Sequence, residues 1–197
     1  MKRLVLKFGG TSVGSITKIK NVANIVNEKR KEGNEIIVVV SAMAGVTNEL
    51  MKKSQEVSEN FSLEELDVLL SSGEQASSAL LAGAVIDLGI NARSWMGWQV
   101  PIITDSNYSS SQIKSIIVDE IEKFISGGGI AIIAGFQGVS SEKRITTLGR
   151  GGSDLSAVAI AKFFNASSCE IYTDVEGVFS TDPSINKSAK KIDKISY

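Results

Sequence analysis

Hydrophobic and polar positions along this chain fall into two alternating registers. Short apolar runs at 3–8, 35–40, 130–134 and 169–173 lack helical spacing and read as strands buried on both faces. Between them, apolar residues recur at helical intervals. Ile16, Ile19, Val22, Ala23 and Val26 share one helix face, and Ser15 precedes them as a good N-cap. A second helical stretch runs from about Val46 to Ser58. Ser62, with Glu65 three residues on, reads as a capping box before Leu66, Leu69 and Leu70. Residues 74–88 predict a small, Ala-rich helix, and 112–125 an amphipathic helix stopped by Gly127, Gly128 and Gly129. The polar, Gly-flanked stretch 135–148, with Lys143 and Arg144, reads as a β-hairpin or flap, and a last helix is expected from about Asp154 to Asn165. Strands alternating with helices predict an α/β sandwich with a largely parallel sheet. No repeat, linker or low-complexity tract divides residues 1–197.

Composition narrows the chemistry. The charge is nearly balanced, 21 basic against 22 acidic residues, with no basic stripe and interleaved aromatics, so nucleic acid is not an expected partner. One cysteine, Cys169, excludes an internal disulfide framework and suits a reducing compartment, where it packs as a small apolar residue. The absence of histidine excludes Ser-His-Asp and Cys-His catalysis and any histidine metal site within these residues. Lys7 ends the first apolar run too early for a signal peptide, and no stretch approaches the ~20 apolar residues of a membrane span. The expectation is a soluble, cytoplasmic protein without a membrane partner.

Five segments look built for binding. Strand 3–8 delivers Lys7, the only charge between Leu4 and Thr17, into Gly9-Gly10-Thr11-Ser12. Adjacent glycines let successive N–H groups point into one concavity, and the lysine adds a point charge there, which suits a phosphate. The order is neither that of a Walker A loop nor G-x-G-x-x-G; the alternative is a buried strand with a charged end. The second strand runs into Ser41-Ala-Met-Ala-Gly-Val-Thr-Asn48, where open α/β sheets place ligands, although Ser41 could simply cap a helix. Ser71-Ser-Gly-Glu74 would put Glu74 at a helix N-terminus, favoured there by the dipole in any case. In Thr147-Leu-Gly-Arg-Gly-Gly-Ser-Asp154, Arg150 can fork onto a carboxylate beside free helix N–H groups. Asp154 would repel an anion there unless it holds a lysine or a metal. Tyr172-Thr-Asp-Val-Glu-Gly-Val-Phe-Ser-Thr-Asp-Pro183 could seat a nucleotide base and ribose, or be an ordinary turn.

The blocks KFGGTSVG at 7–14, SAMAGVTN at 41–48, SSGEQ at 71–75, GWQ at 97–99, AGFQG at 134–138, TTLGRGGSD at 146–154 and YTDVEGVFSTDP at 172–183 resemble, in order, those of the aspartokinases within the amino-acid kinase family. The resemblance covers essentially the whole chain. It implies a three-layer αβα sandwich, with an N-terminal lobe for aspartate and a C-terminal lobe for ATP. It also implies transfer of the γ-phosphoryl group of Mg-ATP to the side-chain carboxylate of L-aspartate. By residue-to-residue comparison, Lys7 would neutralise the transferring group and Asp154 would orient Lys7. Gly9, Gly10 and Ser12 would lie on the ATP phosphates, with Thr173, Asp174 and Phe179 elsewhere on the ATP side. Arg150 would grip a carboxylate of aspartate and Glu74 its α-ammonium. Ser41, Thr47 and Ser153 would supply hydroxyls, and Phe136 would close over the substrate. Mg2+ would sit on ATP phosphates and water with no dedicated protein ligand set, and the resemblance leaves room for a homo-oligomer.

Three departures qualify the match. Ser184 follows Asp182-Pro183 where the family usually has a basic residue, and Phe179 stands where many members have tyrosine. The chain ends at Tyr197, where relatives enter a further helix that leads to a second ATP-site lysine and then to ACT domains. The resemblance therefore implies a kinase domain incomplete at its C-terminal end and without feedback control by lysine or threonine.

Overall fold

The computed structural model describes residues 2–174, 177–181 and 185–194. In chain order the elements are β1 (Arg3–Phe8), α1 (Ile16–Lys31), β2 (Glu35–Val40), α2 (Val46–Val57), α3 (Leu63–Ile86), β3 (Ala92–Trp95) and β4 (Ile102–Thr104). There follow β5 (Ile113–Ile116), α4 (Asp119–Ser126), β6 (Ile130–Ala134), β7 (Gln137–Val139), β8 (Ile145–Thr147), α5 (Gly152–Phe163) and β9 (Ser168–Tyr172). The four apolar runs, joined by β3 at one edge, form a five-stranded sheet in the order β3-β6-β2-β1-β9, with every pairing parallel. The inner strands β1, β2 and β6 are buried on both faces, which is why their runs do not alternate with polar residues, whereas the edge strand β9 is only partly covered.

Each strand feeds two cores. Leu4, Leu6, Phe8, Val38, Val40 and Ile132 pack with Ile19, Val22 and Val26 of α1 and Leu81 and Val85 of α3. The residues between them, Val5, Ile37, Val39, Ala131 and Ile133, pack with Ile121 and Ile125 of α4 and Ala157 and Ile160 of α5. The result is the three-layer αβα sandwich. A second, four-stranded sheet in the order β5-β4-β7-β8 extends the molecule on the second core's side through Ile102 and Ile116. Cys169 is half-buried against that core, and burial raises its thiol pKa. No described helix is long and apolar enough to cross a membrane.

The strand expectations and the 135–148 hairpin match β1, β2, β6, β9 and the β7–β8 pair. Two helix expectations need correction. Residues 62–88 hold one continuous helix, α3, capped by Ser62, whose side chain accepts from Glu65 N–H. Gly73 does not break it: a Cβ there would lie 2.8 Å from the Ala42 Cβ, so the glycine permits close packing. Glu74 is consequently in mid-helix, and the dipole argument for it fails. Within 112–125, Ile113–Ile116 form β5, antiparallel to β4, and the helix starts only at Asp119. The spacing of Ile113, Ile116, Ile121 and Ile125 serves both structures, and pairing with β4 decides the first half.

Candidate active site

The C-terminal ends of β1 and β2 open on a cavity of about 560 Å³. Such strand ends are where open α/β sheets hold ligands, because loops and helix N-termini converge there. Lys7, Ser41, Thr47, Glu74, Phe136, Arg150, Ser153 and Asp154 all line it. The structure thus places around one cavity every residue that the resemblance assigns to catalysis or to the acceptor.

Lys7 is almost fully buried, and its Nζ lies 2.6 Å from Asp154 Oδ1 in the first turn of α5. The ammonium also lies beside the Gly9 turn, 3.5 Å from where a Gly9 Cβ would be. Gly10 must be glycine for space, since a Cβ there would stand 2.7 Å from the Ala42 carbonyl oxygen. The turn closes through Ser12 N–H to Gly9 O at 2.9 Å and Gly9 N–H to Tyr172 O at 3.2 Å. Among the described residues, the N–H groups of Gly10 and Thr11 have no acceptor. Those donors and the buried ammonium fit an anion such as a phosphate.

Glu74, on α3, lines the same cavity. Its Oε1 accepts from Ala42 N–H at 3.0 Å, while Oε2 is buried without a partner among the described residues. Burial pushes the carboxyl pKa up to about 7, only partly offset by the backbone donors. A cationic ligand group would satisfy the orphaned oxygen and favour the charged form. Arg150 is exposed, and its guanidinium makes no ion pair or hydrogen bond among the described residues. Besides the Lys7–Asp154 pair, the cavity therefore offers one guanidinium without a partner and one carboxyl with a free oxygen among the described residues. This suits a zwitterion with an additional carboxylate.

Phe136 follows β6 with φ of 69°, a left-handed conformation uncommon for a bulky residue. Three contacts hold it: its N–H donates to Ser156 Oγ at 2.9 Å, its carbonyl accepts from Leu148 N–H at 2.9 Å, and its ring lies where a Gly152 Cβ would be. Ser156 is invisible as a site residue in the sequence because it reads as one small residue on an apolar helix face.

Gly9 and Ser12 meet the end of β9, where Ser12 Oγ is 3.5 Å from Tyr172 O, while Gly10 O accepts from Ala44 N–H at 3.1 Å. A neighbouring cavity of about 330 Å³ takes in Ser12, Thr173 and Asp174. Phe179 lines neither cavity; it forms an antiparallel bridge with Lys191. Asp182, Pro183 and Ser184 lie outside the described residues, so the departure at Ser184 has no structural reading. The described residues contain no cluster of three or more His, Cys, Asp or Glu side chains able to hold a metal ion.

Asp67 carries no signal in the sequence and is central in the structure. It is fully buried on α3, and donors from Ser109 and Thr147, both in the cavity wall, converge on its carboxylate.

A sequence profile described as the amino acid kinase family matches residues 2–197. The aspartokinase of Geobacillus stearothermophilus is 50% identical over 194 residues, which is 98% of this chain and 48% of that protein. The chain thus spans about half the length of the curated relatives it matches. The crystal structure of aspartate kinase from Synechocystis superposes with a TM-score of 0.81 at 44% identity, over 95% of this chain and 31% of that one. Aspartokinase III of E. coli, solved in complex with aspartate and ADP, gives a TM-score of 0.84 at 25% identity, over 98% of this chain and 54% of that one.

Proposed function

The chain belongs to the amino acid kinase family, and on that premise we propose that it transfers the γ-phosphoryl group of Mg-ATP to the side-chain carboxylate of L-aspartate. The product is 4-phospho-L-aspartate, the first step towards lysine, threonine and methionine. The observation that carries the reading is the single cavity in which Lys7, Glu74 and Arg150 converge. Aspartokinases about half identical to the chain, and a related enzyme crystallised with aspartate and ADP, support the choice of acceptor and donor.

The chemistry suits a chain without histidine. A free aspartate side chain has a pKa near ~3.9 and is ionised at neutral pH, so no base need remove a proton. What the protein must do is bring two anions together and neutralise the charge on the transferring group. Lys7 meets that need, with Asp154 at 2.6 Å fixing its direction. The free N–H groups of Gly10 and Thr11, with Ser12, would receive phosphate oxygens, and Thr173, Asp174 and Phe179 would serve the remainder of the nucleotide. Arg150 would take one carboxylate of the acceptor and Glu74 its ammonium. Ser41, Thr47 and Ser153 would add hydroxyl contacts, and Phe136 would screen the site from water. Mg-ATP, when bound, supplies the phosphoryl group, its Mg2+ held mainly by phosphate oxygens and water.

The test is ADP release by the purified chain with Mg-ATP and L-aspartate, L-glutamate or no acceptor. Aspartate-dependent turnover that vanishes in Lys7→Ala is the expected result. Preference for glutamate would reassign the acceptor. ATP binding without turnover in a folded chain would reduce the activity to nucleotide binding.

A further inference from the structure

We propose that Asp67 is a positioning residue for the acceptor side of the cavity, holding the Arg150 loop and the 105–111 loop in register. The inference rests on the acceptor site proposed above and concerns a residue that does not itself line the cavity.

Asp67 is 0% exposed and has no cationic partner among the described residues. A buried carboxylate is costly unless donors replace its water shell. Here that replacement comes from only two residues. Ser109 N–H lies 3.0 Å from both carboxylate oxygens, and Ser109 Oγ donates to Oδ1 at 3.1 Å. Thr147 N–H donates to Oδ2 at 2.8 Å and Thr147 Oγ1 to Oδ1 at 2.7 Å. Ser111 N–H closes the arrangement by donating to Thr147 O at 2.9 Å.

The two clamped residues flank the segment that matters. Thr147 ends β8, and Leu148 and Gly149 lead from it directly to Arg150. Gly149 turns with φ of 75°, and a Cβ on it would lie 3.1 Å from Ser109 O, so Ser109 forms the back of the Arg150 turn. Ser109 is itself left-handed, with φ of 64°, a conformation that its bonds to Asp67 help maintain. Asp67 and Glu74 are seven residues apart on α3 and so share a helix face. One rigid helix thereby presents Glu74 to the ammonium of the acceptor and, through Asp67, sets where Arg150 meets its carboxylate. A neutral amide could not substitute, because its NH2 would oppose a converging N–H donor.

The test compares Asp67→Asn with the unaltered chain for the KM of L-aspartate, the KM of ATP and hydrogen exchange at residues 148–152. The expected result is an aspartate KM raised about tenfold, an unchanged ATP KM and faster exchange in 148–152. Should Asp67→Asn not fold, Thr147→Val removes one bond of the set. It should raise the aspartate KM about threefold, with Thr147→Ser restoring it. An unchanged aspartate KM in a folded variant, with only the melting temperature lowered, would overturn the inference and leave Asp67 a stability residue. Failure of the unaltered chain to bind or phosphorylate aspartate would overturn the acceptor reading itself, and is told apart because it appears before any substitution.

Discussion

Lys7, just before the turn that follows β1, and the wall built from α3 and the β7–β8 hairpin meet at one cavity, and turn and wall are held in different ways. The turn is held by backbone alone: Gly9 O receives Ser12 N–H, Gly10 O receives Ala44 N–H at 3.1 Å, and Gly9 N–H donates to Tyr172 O of β9 at 3.2 Å. The wall is assembled from side chains far apart in sequence. Asp67 reaches residues 42 and 80 positions away, and Gln137 Nε2 donates to Ser71 O across 66. The turn follows from strand geometry and glycine, while the wall exists only once the second sheet has docked on α3. Changes in the turn should therefore damage chemistry with little loss of stability, and changes in the wall should alter acceptor binding and stability together.

Lys7→Ala gives the largest contrast. Removing the charge proposed to meet the transferring group should lower kcat by about 10³-fold. Asp154 is half-exposed although its Oδ1 is buried against Lys7, so water entering the space left by the lysine replaces part of the lost pair, and the melting temperature should fall by no more than ~4 °C. A drop above that, measured by calorimetry, would remove the distinction between the two regions. Gly10→Ala tests where they touch, because its Cβ would stand 2.7 Å from the carbonyl of Ala42, whose N–H holds Glu74. That clash is with backbone and should cost on the order of 2 kcal/mol while weakening both substrates. Denaturant titration beside separate KM values for ATP and aspartate would check it.

The same contrast explains what the sequence discloses. Lys7, Gly9 and Gly10 are legible because a charge and two glycines at the end of an apolar run have few other uses. Charge alone asks for a lysine or a metal beside Asp154; only the resemblance to aspartokinases points to Lys7, and the two lie 2.6 Å apart. Asp67 was not, because Leu63-Glu-Glu-Leu-Asp reads as the polar face of a surface helix and its donors arrive from remote loops. The strands β3, β4 and β5 are three or four residues long, too short for a period to register, and β5 was absorbed into a helix. Glu74 owes its assignment to the resemblance, since the helix terminus the spacing predicts for it does not exist; its distinction is an unpaired oxygen in mid-helix among the described residues.

Glu74 also gives the wall a dependence on pH that the turn lacks. Its pKa is raised by burial from 4.5 to about 7. The folded chain therefore binds a proton that the unfolded chain releases between those values. The resulting stabilisation is complete below about 4.5 and is lost as pH rises to about 7, an effect on the order of 3 kcal/mol at full extent. Binding an ammonium needs the opposite form, so the aspartate KM should fall about tenfold from pH 6 to pH 8 while the ATP KM stays level. Glu74→Gln should flatten both curves. A sloping stability curve that survives in Glu74→Gln would assign the proton to another group.

Ser156→Ala is the smallest effect and the cleanest probe of how the wall holds Phe136. The hydroxyl donates to Gly152 O at 2.8 Å and accepts from Phe136 N–H at 2.9 Å, so it joins the start of α5 to a residue with φ of 69°. Its loss leaves one backbone donor unpaired and removes one restraint on a left-handed phenylalanine, at about 1–2 kcal/mol. Leu148 N–H still holds the Phe136 carbonyl, so the ring should stay near its place and kcat should change less than about threefold. A Phe136→Gly partner separates the two contributions, since glycine accepts the positive φ freely and removes the ring. In the double variant the stability loss from Ser156→Ala should shrink while acceptor binding weakens. Equal losses in both backgrounds would mean that Ser156 acts on the α5 terminus alone and that Phe136 keeps its conformation without it.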